Sequence, residues 1–329
     1  MPDLYDVAAI GNAIVDVIAP ADDAFLAANQ LDKGAMMLVD SERSAALYGK
    51  MAKGVETSGG SAGNTIAGVA SFGGKAAYLG KVANDKLGET FTAEMRAIGA
   101  HFDPVPLVGG PATAVSMINV TPDAQRTMCT FLGASVQFTD DDVVPAVIES
   151  AKIVYLEGYL FDAEPARKAF AKAAAIARSS GRMLALTLSD GFVVDRHRAG
   201  LLAFIETQVD LVFANEVEIC SLFETSHFDE AMREITARAK LAAVTRSEKG
   251  STIVTNAETF HVPAYPVEKV VDTTGAGDQY AAGFMFGLAR GRSLIDCARL
   301  GSLAAAEVIS HYGPRPQISL QALATEKGL

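Results

Sequence analysis

Short apolar runs separated by turn residues set the pattern of this chain. Val7-Ala8-Ala9-Ile10 ends at Gly11-Asn12, as expected of a buried first strand whose carboxyl end opens into a loop. Beyond residue 140 the pattern becomes regular. Apolar runs at 153–156, 183–186, 211–214 and 242–245 alternate with alanine-rich segments of helical spacing at 164–178, 197–206 and 229–239. That alternation predicts an α/β fold, a mostly parallel sheet with helices on both faces. Earlier, residues 64–72 predict a helix stopped by Gly73-Gly74, 76–80 a strand, and 85–99 another helix. Two β-rich runs, 113–120 and 126–132, flank Thr121-Pro122-Asp123 and predict a hairpin. A second hairpin is expected from 252–255 and 259–262, and two helices, 277–290 and 293–310, follow. The β-rich pieces at 14–55 and 108–132 suggest a small second sheet. It would stand apart from a large unit made of 1–13, 56–107 and 133–329.

Half of the 329 residues are hydrophobic, enough for an extensive core. The formal charge is −11, with 39 acidic and 28 basic side chains and no Lys/Arg cluster. This disfavours nucleic acid or an anionic membrane as partner. The start, Met1-Pro2-Asp3-Leu4-Tyr5-Asp6, is acidic and lacks the basic lead of a signal peptide, and no apolar run reaches about 18 residues. A soluble cytoplasmic protein is expected. The cysteines Cys129, Cys220 and Cys297 are far apart and fit reduced thiols. The five histidines form no zinc spacing.

The motif with most chemical content is Asp272-Thr273-Thr274-Gly275-Ala276-Gly277-Asp278, at the start of a helical run. Its glycines let successive N–H groups converge at a helix N-terminus, a place suited to negative charge. A carboxylate aimed there makes sense if it takes a proton from a hydroxyl beside a phosphoryl group. On spacing alone, Asp278 could equally cap the helix. A Walker A loop is absent: Gly74-Lys75 has Val69 and Ala76 where that motif needs Gly and Ser/Thr. A dinucleotide fingerprint fails too, with Tyr280 at the third glycine position.

Residues 272–278, followed by Ala281-Ala282-Gly283-Phe284, resemble the C-terminal signature of the PfkB (ribokinase-like) carbohydrate and nucleoside kinases. Gly59-Gly60-Ser61-Ala62-Gly63-Asn64 resembles the N-terminal one, with Gly73-Gly74, Gly80, Asp85 and Gly88 downstream. Asn215-Glu216-Val217-Glu218 is similar to the family's NxxE element. The resemblance implies a large Rossmann-like domain with a small β-sheet lid, and transfer of the ATP γ-phosphoryl group to a primary hydroxyl. By it, Asp278 is the base and the N–H groups of Gly275, Ala276 and Gly277 receive the moving phosphoryl group. Asn215 and Glu218 would place Mg²⁺-bound phosphates through water, and Thr245 and Gly250 would contact ATP. In that loop Ser247 stands where the family usually has glycine. Asp272 and Thr274 match positions that hold K⁺ in many members.

Within the family, Gly11-Asn12-Ala13-Ile14-Val15-Asp16 resembles the opening of the adenosine-kinase group. The resemblance gives Asp16 the vicinal ribose hydroxyls and Asn12, Gly60, Ser61 and Asn64 the rest of the sugar. Met36 and Leu38 would wall a purine, or simply fill the lid core. Arg126 would reach phosphate, or lie solvated on the surface. Phe192 would bring an aromatic to the site. Tyr159-Leu160 falls where that group often has two aromatics, and the leucine departs from it. The small-molecule acceptor is thus adenosine or, as the alternative, ribose, fructose or a related sugar. A monomer and a lid-mediated homodimer are both compatible with the sequence.

Overall fold

The computed structural model describes residues 4–123 and 125–329, so the acidic lead at 1–3 lies outside the described residues. Among these residues thirteen strands form two sheets. In chain order they are β1 (Tyr5–Ile10), β2 (Ile14–Pro20), β3 (Met36–Leu38), β4 (Val55–Ser58), β5 (Ala76–Leu79), β6 (Ala114–Val120) and β7 (Arg126–Phe131). Then follow β8 (Ala151–Glu157), β9 (Met183–Thr187), β10 (Leu211–Asn215), β11 (Leu241–Thr245), β12 (Ser251–Thr255) and β13 (Thr259–Val262).

The large sheet has the order β13-β12-β11-β10-β9-β8-β1-β5. From β5 to β11 all neighbours are parallel, and β12 and β13 add an antiparallel edge. Both faces are buried, so its strands are continuously apolar. The side chains still alternate. Ala8, Ile10, Val154, Leu156, Leu184 and Leu186 enter one core, while Val7, Ala9, Ile153, Tyr155 and Ala185 enter the other. Helices cover each core. Because the strands run parallel, their carboxyl ends share one edge, where α/β proteins place ligands. Gly11-Asn12, Glu157, Thr187, Asn215 and Thr245 all lie along it.

The small sheet has the order β3-β7-β6-β2-β4. Its last strand runs to Ser58, three residues past the expected stretch 14–55. One face is apolar and joins the core through Val15, Val17, Met117 and Cys129. The other face carries a lateral row, Thr57–Asp16–Ser116–Thr130–Leu38, set by the pairing register. Two residues along lies a parallel row, Val55–Ile18–Ile118–Met128–Met36. Residues two apart on a strand share a face, so a polar row with one carboxylate lies beside an apolar row.

One helix differs from expectation. The segment expected at 197–206 begins at Gly191 and runs to Gln208, with a kink at His197 (φ −124°, ψ 15°). Asp190 caps its start, accepting a 2.6 Å bond from the Phe192 N–H. No helix of the described residues is long and apolar enough to cross a membrane.

Candidate active site

The Ala276–Ala289 helix begins at Gly275, which has φ +79° and no room for a side chain, since a Cβ would lie 2.6 Å from the Pro314 carbonyl oxygen. The first-turn N–H groups of a helix have no partner inside it. Ala276 departs from the expected trio of donors, because its N–H closes a turn on the Thr273 carbonyl at 3.2 Å. The N–H groups of Gly275, Gly277 and Asp278 have no backbone partner among the described residues. A Cβ added at Gly277 would meet no atom within 4 Å, so the approach to it is clear.

Asp278 sits in this first turn and faces the Ser61–Ser71 helix. Its Oδ1 accepts from Ser61 Oγ at 2.6 Å and its Oδ2 from Asn64 Nδ2 at 3.1 Å. Burial pushes its pKa up to about 6, opposed by those two hydrogen bonds and by the Arg315 charge. A base poised near neutrality that still holds its proton weakly suits proton abstraction.

Asn12 follows β1, and its N–H and Nδ2 both donate to Glu157 Oε1, at 3.2 and 2.7 Å. Its Oδ1 is buried without a partner among the described residues. Glu157 Oε2 accepts from the Ala62 N–H at 2.8 Å, so this carboxyl ties the end of β1 to the start of the Ser61–Ser71 helix. Asp16 lies on β2, and burial raises its pKa to about 7 despite the Arg315 and Arg126 charges. Gly59 lets the chain pass it: a Cβ there would lie 2.3 Å from Asp16 Oδ2. Gly60 is the residue before the Ser61–Ser71 helix, directly against the Asn12 carbonyl. The structure therefore brings Asn12, Asp16, Gly60, Ser61, Asn64 and Asp278 together.

The remaining expected residues surround that centre. Met36 and Leu38 are about half exposed on β3, at the open face of the small sheet, and do not fill its core. Tyr159 lies in the turn after β8; burial and the charges of Asp190, Asp278, Glu157 and Glu218 raise its pKa. Phe192 is largely exposed, with no ring contact to the site. Arg126 is not a solvated surface residue. Its Nη1 lies 2.8 Å from Asp272 Oδ2 and 3.3 Å from Thr274 Oγ1, and its guanidinium lies over the Tyr312 ring.

Asp272 is saturated. Oδ1 accepts from the Thr274 N–H (3.1 Å) and hydroxyl (2.7 Å), and Oδ2 from Arg126 and the Gly313 N–H (3.0 Å). A carboxylate offers about four acceptor positions, so these side chains as arranged do not fit K⁺. Asn215 and Glu218 satisfy each other in a capping box. Asn215 Oδ1 accepts from the Glu218 N–H (2.8 Å), while Glu218 accepts from the Asn215 N–H (3.0 Å) and Nδ2 (2.6 Å). Burial lifts Glu218 to about pKa 7. Thr245 closes β11, and Gly250 ends the following turn with φ +84°. Ser247 in that turn has φ +50°, the left-handed conformation that glycine would adopt without strain. Among the described residues no three His, Cys, Asp or Glu side chains group to hold a metal ion.

Two contributors have no signal in the sequence motifs. Glu157 ends β8, and its place at the carboxyl end of a strand beside β1 is the one hint that could have found it. Arg315 lies in the loop after the Leu294–Ile309 helix. It donates to Asn64 Oδ1 (Nε, 3.2 Å) and to Ser58 Oγ (Nη1, 2.6 Å).

Residues 6–320 match the family described as pfkB family carbohydrate kinase. Adenosine kinase of Sinorhizobium meliloti is 53% identical, with a TM-score of 0.91 over 98% of this chain and 99% of that one. A probable sugar kinase protein of Rhizobium etli CFN 42 is 49% identical, with a TM-score of 0.92 over 99% of both chains. Adenosine kinase of Saccharomyces cerevisiae is 28% identical over 93% of this chain and 95% of its own length.

Proposed function

This chain belongs to the pfkB family of carbohydrate kinases, phosphotransferases with an alcohol acceptor, and from that premise we propose that it phosphorylates the 5′-hydroxyl of adenosine. The observation that carries the nucleoside reading is the paired rows of the small sheet. Asp16 offers a carboxylate for vicinal hydroxyls, and the adjacent row of Ile18, Ile118, Met128 and Met36 offers an apolar surface for a base. The buried Asn12 Oδ1, lacking a donor, is a further acceptor for a sugar hydroxyl. A bare sugar has no use for the apolar row.

In the reaction, the 5′-oxygen forms a bond to the γ-phosphorus while Asp278 takes its proton. The bond from that phosphorus to the bridging oxygen breaks, and ADP leaves with the electron pair. First-turn N–H groups of the Ala276–Ala289 helix stabilise the charge on the transferring group, each worth about 10² to 10³ in rate. Arg126 exchanges Asp272 for phosphate when ATP arrives. Mg²⁺, carried largely by phosphate oxygens and held through water near Asn215 and Glu218, would neutralise the phosphate charge. The small sheet closes over the acceptor and keeps water from the phosphoryl group.

A coupled ADP-release assay over adenosine, inosine, guanosine, ribose and fructose tests the proposal. Adenosine is expected to give the highest kcat/KM. Turnover of a free sugar with none of adenosine would overturn the nucleoside reading and favour the sugar-kinase one.

A further inference from the structure

We infer that Arg315 is a positioning residue for the base: its guanidinium fixes the Asn64 side-chain amide with the NH₂ group toward Asp278. The inference rests on the reading of Asp278 as the base, and not on which alcohol it serves.

Arginine has five N–H donors and no acceptor. The group facing Arg315 Nε at 3.2 Å must therefore be the amide oxygen of Asn64. That choice leaves Nδ2 to donate to Asp278 Oδ2 at 3.1 Å. The two ends of an amide are almost the same shape, so shape does not choose between them; Arg315 and the Asp278 carboxylate select the same orientation, and without Arg315 only the carboxylate does. The reversed one would set a carbonyl oxygen against a carboxylate. Arg315 is itself held in place. Nη1 donates to Ser58 Oγ at 2.6 Å, and Nη2 lies 3.9 Å from Met95 Sδ. Gln279, next to the base and fully buried, clamps the two segments together. Its Nε2 donates 2.9 Å bonds to both the Asn64 and the Pro314 carbonyls. The C-terminal loop is thus wired to both helices that frame the base.

The guanidinium also acts through its charge. Asp278 shares its surroundings with Asp16 from β2, Tyr155 and Glu157 from β8, Tyr159 from the next turn, and Glu218 and Asp190 beyond. Glu94 and Tyr78 face Arg315 from its other side. Among the charges that act on Asp278, Arg315 is the one that lowers its pKa. An opposite charge nearby favours the ionised carboxylate and so lowers its pKa.

The test is the Asp278 carboxyl pKa, read by NMR of ¹³Cγ-aspartate protein and assigned with Asp278→Asn. Arg315→Met should raise it by about one unit. With the acceptor that the wild type turns over best, the acid limb of kcat/KM should move up by the same amount. The plateau kcat should fall about tenfold or more, with a smaller change in acceptor KM. Arg315→Lys, which restores a charge and a donor, should return the limb most of the way. If Arg315→Met does not fold, the same pair of readouts on Arg315→Gln decides. In the double variant Arg315→Met/Asn64→Ala, the loss in kcat should be smaller than the product of the two single losses, because both changes act on the Asn64–Asp278 bond. A folded variant with an unmoved Asp278 titration, or strictly additive effects, overturns the inference. Loss of adenosine turnover in the wild type would overturn the nucleoside proposal and leave the NMR result to decide this one.

Discussion

The two groups of residues proposed here for the acceptor and for the nucleotide are finished in different ways. On the proposed acceptor side, Asn12 Oδ1 is buried without a donor among the described residues, and Asp16 is buried with its pKa lifted to about 7. On the nucleotide side, Asn215 and Glu218 close on each other, and Asp272 has a donor for each acceptor position. A buried polar group without a partner is costly, so donors from an acceptor's hydroxyls would complete the proposed acceptor side. The side chains of Asn215, Glu218 and Asp272 are already satisfied and would have to exchange bonds to receive phosphates, while Arg126 Nε is buried without a partner among the described residues. Pocket readiness and chemical readiness are therefore separate properties here.

The largest expected effect lies where the halves meet. Asp278→Asn should lower kcat by about 10² or more while adenosine binding, followed by calorimetry, stays within a few-fold. Turnover close to wild type would remove Asp278 as base. In the wild type, protonation stops the base. With its pKa raised to about 6, kcat/KM should fall as pH drops through that value and level off above it. On the acceptor side, Asp16→Ala should cost about 1.5–3 kcal/mol in kcat/KM for adenosine, a loss of about 10- to 150-fold. The same variant should no longer distinguish adenosine from its 2′-deoxy form. Equal discrimination before and after would show that Asp16 does not hold the hydroxyls.

On the nucleotide side the effects are smaller and must be split. Glu218→Gln preserves a capping box, since glutamine serves that position as well. Thermal stability should stay within about 2 °C, while KM for MgATP rises about tenfold. An unchanged KM would reduce the pair to a helix cap and dissolve the contrast drawn above. The smallest effect concerns the loop beneath. Ser247→Gly removes a left-handed non-glycine residue and should stabilise the protein by about 1 kcal/mol in a denaturant titration. A loss of stability would mean that the serine side chain holds the loop.

The large sheet was legible in the sequence because its strands are buried on both faces. Continuous apolar runs such as 153–156 and 211–214 signal such strands without any side-chain detail. The helix from Gly191 starts before the apolar spacing at 197–206 that predicts it, and the kink at His197 breaks its period. Ser189 takes a positive φ of 67° and Asp190 then caps the helix. Of the candidate site, the residues carried by the family resemblance were legible: Asn12, Asp16, 59–64 and 272–278. NxxE was legible as a motif, but the structure also accounts for it as a capping box. Glu157 and Arg315 were not legible, since each acts across more than 90 residues of chain, Glu157 on Asn12 and Arg315 on Asn64. Only the folded register brings such partners together.

That register has a kinetic side. β2 pairs with β6 from Ile14↔Ala114 onward, strands about 100 residues apart, with the first edge of the large sheet threaded between them. Pairings of that span form late and slowly. Asp16 rides on β2, whereas Asp278 waits on a helix that does not exist until the last sixth of the chain is made. A half-synthesised or half-folded chain therefore cannot hold Asp16 and Asp278 in one place. ATP in the cell meets this chemistry only when the whole polypeptide has come home.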